Sequence, residues 1–220
     1  MNKKIISAGM GVIVLVIVII SFTVTSEDKN GATQSEEKIT AMTSDIGLGI
    51  TYTDANYELK QILQENDISM SSPIKLDDLR AIWSYCNLFE GDEQKLVEYC
   101  TSTELKDSDE NFLGNIHAVG TPVEPKLIMA LIQVDPFLNQ KENAKTVFSV
   151  LVDHIVCDCW HTKNIQGKSL DELADEHIEF HISGGKPTSK SSIIPLEGRS
   201  IQMELTTNSE GYLWKLFVTA

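Results

Sequence analysis

Residues 5–24, beginning at Ile5 and closing at Val24, form a run of twenty without one charge, rich in Val, Ile and Leu. A helix of that length spans about 30 Å, the thickness of a bilayer's hydrocarbon core. Lys3 and Lys4 precede the run, and Glu27 and Asp28 follow it. Cationic flanks favour the cytoplasmic side, so the N-terminus is expected inside and the remainder outside. The chain then divides into a cytoplasmic N-terminus at 1–4, a transmembrane helix at 5–24, a flexible polar stalk at 25–45 and an extracytoplasmic domain at 46–220. The competing reading is a cleaved signal peptide, which would make the protein secreted. Val24-Thr25-Ser26 is a poor cleavage site, and the run exceeds a usual signal core. The expectation is a single-pass signal-anchor that meets the lipid bilayer through Ile5 to Val24.

All 32 acidic residues lie beyond Ser26, with 16 of the 18 basic ones, so the outer part carries −16. Such a surface repels nucleic acid and anionic membrane, and nucleic acid is not an expected partner. A surface protein or a metal ion remains open. No Asn-x-Ser/Thr sequon occurs. Four cysteines outside a membrane make disulfides the default.

The outer part reads as one α+β domain: an antiparallel or mixed sheet of five to seven strands, with three or four packed helices. A first strand is expected over 46–52. A helix follows over 54–65, capped by Thr53, with Leu59, Ile62 and Leu63 as its apolar stripe. Leu79, Ile82, Trp83 and Cys86 have helical spacing; the alternative, a strand, would set Cys86 opposite Cys100. Strands at 96–105 and 112–119 flank a turn at 107–111. The nearly continuous apolar run 127–134 reads as a central strand. The longest helix is expected over 140–160, with Ala144, Val147, Phe148, Leu151, Ile155 and Cys159 on one face. Ser169 and Glu172 form a capping box for a helix running to about Ile182, closed by Gly184-Gly185. A final hairpin joins 199–207 to 212–218 across 208–211.

Chemistry is concentrated in Asp153-His154-Ile155-Val156-Cys157-Asp158-Cys159-Trp160-His161, which holds two of the four cysteines and two of the five histidines. On a helix, Cys157 shares a flank with His154 and His161, while Cys159 points to the core. His177 and His181 stand one turn apart on the capped helix, so their ring nitrogens can converge. If the two flanks pack together, His154, Cys157, His161, His177 and His181 make a closed site for copper or zinc. Disulfide candidates are Cys86, Cys100, Cys157 and Cys159. Cys86–Cys100 is slightly preferred over links from these two to Cys157 and Cys159. A Cys-x-Cys closing on itself is set aside as geometrically poor. A blue-copper order (Cys157, His161 and Gln166, with His117 upstream) fails because it puts the cysteine on a predicted helix. No Gly-x-Ser-x-Gly or phosphate loop is present.

Four stretches together carry a resemblance: Tyr99-Cys100-Thr101-Ser102-Thr103-Glu104-Leu105, Val156-Cys157-Asp158-Cys159-Trp160, Ser183-Gly184-Gly185-Lys186-Pro187 and Gly211-Tyr212-Leu213-Trp214-Lys215. The chain resembles uncharacterised single-span, membrane-anchored proteins of ammonia-oxidising archaea over most of its outer domain. The resemblance brings no catalytic residue. It implies an archaeal cell surface and copper as the first metal to consider. The function expected is a membrane-anchored binding or structural domain without catalysis. The alternatives are a copper or zinc protein using the His/Cys cluster and, third, a thiol enzyme at Cys157.

Overall fold

A computed structural model describes residues 46–89 and 91–220. The anchor at 5–24 and the stalk at 25–45 lie outside the described residues. Among those described, no helix is long and apolar enough to cross a membrane.

The frame is an antiparallel sheet of nine strands. Its middle is built from long strands: β3 (Tyr99–Lys106), β4 (Phe112–Gly120), β5 (Pro125–Val134), β8 (Arg199–Asn208) and β9 (Gly211–Thr219). They run side by side in the order β3-β4-β5-β9-β8. Short strands finish the edges: β1 (Ser69–Met70) and β2 (Ile74–Leu76) pair with β3, and β6 (Thr188–Lys190) and β7 (Ile194–Leu196) pair with β8.

Alternation along these strands sorts the side chains to two faces. Ile116, Ala118, Ile128, Ala130, Ile132, Met203, Trp214, Leu216 and Val218 belong to the main core. Their register is cross-strand: Ile128 lies opposite Val218 and Ala130 opposite Leu216. Three helices contribute to the same core: α1 (Tyr52–Glu65), α3 (Lys141–Ile155) and α4 (Leu170–Gly184). The other face carries Cys100, Val119, Leu127 and Met129 in smaller clusters. A short helix, α2 (Leu79–Tyr85), and the segment holding Leu88 and Phe89 cover part of it.

The α+β expectation holds in its coarse form, and the sheet is wholly antiparallel. Three local readings are corrected. The segment 46–52 is not a strand. Gly49 takes a positive φ of 68°, and Leu48 is pinned from both sides, donating to the Pro125 carbonyl and accepting from Arg199. The cap of α1 is Thr51, whose hydroxyl accepts from the Asp54 backbone N–H. Tyr52, Ala55, Asn56, Leu59 and Leu63 are its buried stripe. The long helix stops at Ile155 rather than reaching Trp160. There the Asp153 carboxylate accepts from the backbone N–H groups of Cys159 at 2.8 Å and Trp160 at 2.7 Å, folding the chain back on the helix end. The capping box at Ser169 forms as read, and Gly185 closes α4 in the left-handed region at φ 61°.

Candidate functional site

The site assembles on the less covered face, where the β3–β4 hairpin sets two donors side by side. In its register Cys100 faces Val119, and Ser102 faces His117. Cys100 and His117 are therefore diagonal neighbours on one face, within reach of each other. The third member comes from α2. Asp78 caps that helix through the Ala81 N–H, Ile82 is fully buried, and Cys86 lies at the C-cap. Gln94 holds the chain leaving the cap. Its amide donates to the Cys86 carbonyl, and its oxygen accepts from Leu88 and Phe89.

Cys86 and Cys100 are bridged, with Cα atoms 6.6 Å apart. The Cys86 Sγ lies 3.9 Å from His117 Nδ1. One donor atom from each of Cys86, Cys100 and His117 fits within 4.8 Å of the others, and all three residues are buried. Burial lowers the His117 pKa to about 4, so its imidazole is neutral at ordinary pH. As bridged, the trio is a disulfide against a neutral ring. Opened, it is two thiols and a ring nitrogen, a soft set of donors.

No family model, no curated protein and no solved structure matches the chain. None of them links the chain to archaeal proteins, and the function has to be argued from the site.

The five residues expected to share a metal lie in three different environments. Cys157 is bridged to Cys159, with Cα atoms 5.2 Å apart, which corrects the reading that Cys-x-Cys does not close on itself. The closure is possible because α3 has ended: on a helix, residues two apart point to different sides. His154 and His161 are both exposed and border a polar pocket together with Asp153, Lys145 and Asp171. His177 and His181 do converge, but on a hydroxyl. Ser189 Oγ lies 3.1 Å from His177 Nε2 and 2.9 Å from His181 Nδ1, and His181 Nε2 reaches Thr207 Oγ1 at 2.9 Å. Burial lowers the pKa of both, that of His177 to about 4. The flank of α4 that meets α3 is acidic: Lys145 pairs with Asp171 and Asp175, and Lys141 with Asp175. That charge pairing turns the histidines toward β6 and β8 instead.

Among the described residues, the one set of three metal-type ligands that converges is Cys86, Cys100 and His117. His117 entered the sequence reading only through the discarded blue-copper order. The turn at 107–111 alone does not find it: counted from the Lys106–Phe112 pair, Cys100 and His117 fall on opposite faces, and the bulge between Leu105 and Lys106 shifts the register by one and brings them onto the same face.

Proposed function

We propose that the chain is a single-pass membrane protein whose disulfide-bonded domain stands outside the cytoplasm and acts by binding a surface partner rather than by catalysis. The observation that carries this reading is the pairing of the cysteines: the four close into two bridges, and none is free. Two persistent bridges suit an oxidising compartment and not a glutathione-buffered one. The run 5–24 with Lys3 and Lys4 supplies an anchor of matching orientation. The −16 of the outer part keeps the domain soluble and off an anionic bilayer. Leu131, Leu213 and Phe217 are only half-buried on the less covered sheet face and give a protein partner apolar surface to meet.

The test is made on intact cells and then on the full chain. Protease added outside should remove the domain and leave a short membrane fragment. The full chain, unfolded in chelator without reductant, should show no free thiol. Two or more free thiols, or a domain that external protease does not reach, would sink the proposal.

A further inference from the structure

We infer that the chain has a reduced state in which Cys86, Cys100 and His117 bind one Cu(I) ion. The inference does not depend on the extracytoplasmic reading, which concerns where the bridged form resides.

Three features of the trio point to a ligand. First, two sulfurs and an imidazole nitrogen already meet within 4.8 Å. Thiolate and imidazole are donors for soft, closed-shell cations and poor donors for calcium or magnesium. Second, His117 lacks the partner that a purely structural core histidine uses. Its ring takes no carboxylate or carbonyl among the described residues, and Nδ1 faces Cys86 Sγ. His177 and His181, by contrast, spend three ring nitrogens on hydroxyls. Third, the scaffold is rigid where a ligand set needs it. Cys100 and His117 sit on paired strands, and Gln94 fixes the Cys86 carbonyl.

Burial selects among the soft ions. Cys86 and Cys100 are fully buried and His117 is 7% exposed, so the donors sit largely out of solvent. Zinc requires four donors in a tetrahedron. Cu(I) is satisfied by three, and a fourth soft atom stands nearby. Met129 lies directly across from His117 in the β4–β5 register, on the same face and 2% exposed. Cys157 and Cys159 have no such neighbour, since no third ligand converges on them among the described residues.

The bridge gates the site. A dithiol reductant attacks the Cys86–Cys100 bond, and exchange through a mixed disulfide leaves two protein thiols and an oxidised reductant: two electrons and two protons pass to the protein. Cu(I) then displaces the thiol protons to solvent and keeps its own oxidation state. With the bridge closed, neither sulfur is a thiolate and the ion has no site.

The experiment uses the full chain carrying Cys157→Ser with Cys159→Ser, so that one pair remains. The chain is purified in detergent, reduced anaerobically with a phosphine and desalted. It is then titrated with Cu(I) as its acetonitrile complex against a chromophoric chelator. One Cu(I) per chain is expected after reduction and none before it. His117→Gln, which keeps the volume, should weaken binding roughly tenfold or more, the least expected when a ligand is lost. The same titration in urea separates a built site from two loose thiols. Equal affinity in the folded and urea-unfolded chain overturns the proposal, whether or not a given variant folds. So does unchanged affinity in His117→Gln, binding to the unreduced chain, or zinc taken up in place of copper. If the reduced variant fails to bind copper while the unreduced full chain still shows no free thiol, this inference alone is removed and the proposed function stands.

Discussion

Beneath α2, the Cys86–Cys100 bridge joins a helix cap to a strand 14 residues away and lies against His117. On the opposite face, the Cys157–Cys159 bridge spans one residue and packs against the main core. The histidines of that face, His177 and His181, set three of their four ring nitrogens against Ser189 and Thr207. The same residue types are present on both faces, and the difference lies in what brings them together. Where sulfur and imidazole arrive on different elements, the fold can make them one site. Where they follow each other closely in sequence, local geometry spends them separately: the cysteines on a tight loop, the histidines on neighbouring hydroxyls.

The largest effect should come from the long bridge. Changing Cys86 and Cys100 together to Ala frees a loop that the disulfide otherwise closes, and the chain-entropy treatment puts this at about 3 kcal/mol. Urea unfolding of the oxidised protein should show the midpoint falling with the slope nearly unchanged. If the pair costs no more than Cys157 with Cys159, the contrast between the two bridges is lost.

Acid should act next, and on both faces: burial lowers the pKa of His117 on one and of His177 on the other to about 4. Burial holds His177 neutral in the fold at a pKa of about 4, with His181 opposing its charge and Glu204 partly offsetting that. In the unfolded chain the same ring takes a proton near pH 6.5. The unfolded state therefore binds more protons, and stability falls as pH drops. This contribution is complete above about pH 6.5 and declines until about pH 4. Between about pH 7.5 and 4.5 it amounts to about 2 kcal/mol. His177→Gln should lose that much less stability over the same range, as read from urea midpoints at the two ends. An identical pH slope in the variant would mean that His177 titrates freely.

Long-period features were legible in the sequence, and short-range geometry was not. The main strands, the helices from α1 to α4 and the Ser169–Glu172 box follow from periodicity and capping that extend over several turns. The edge strands β1, β2, β6 and β7 have two or three residues each, too few for alternation to register. The end of α3 was misread because Ala144 to Ile155 sets a period that Cys159 happens to continue. What stops the helix is one carboxylate, Asp153, turning back to two N–H groups. The five expected ligands do not converge, for a related reason. Helical spacing placed five ligands on flanks, but the flanks that meet are chosen by Lys141 and Lys145 with Asp171 and Asp175. His117 is not legible either: a lone histidine on a strand carries no pattern of its own, and the face it shares with Cys100 is set by a bulge between Leu105 and Lys106 that no periodicity signals.

The smallest effect should come from the short bridge. By the same chain-entropy relation, a ring with one intervening residue restricts the unfolded chain by only about 1.5 kcal/mol. The native loop, moreover, is held without it. Asp153 binds the Cys159 and Trp160 N–H groups, the fully packed Trp160 donates its indole N–H to Asp171, and the Trp160 carbonyl accepts from Leu170. Changing Cys157 and Cys159 together to Ala should therefore lower stability by about half as much as losing the long bridge. It should leave the near-ultraviolet dichroism of Trp160 in place. A collapse of that signal would show that the bridge, and not the Asp153 carboxylate, ends α3, and would make the two cysteine pairs equals after all.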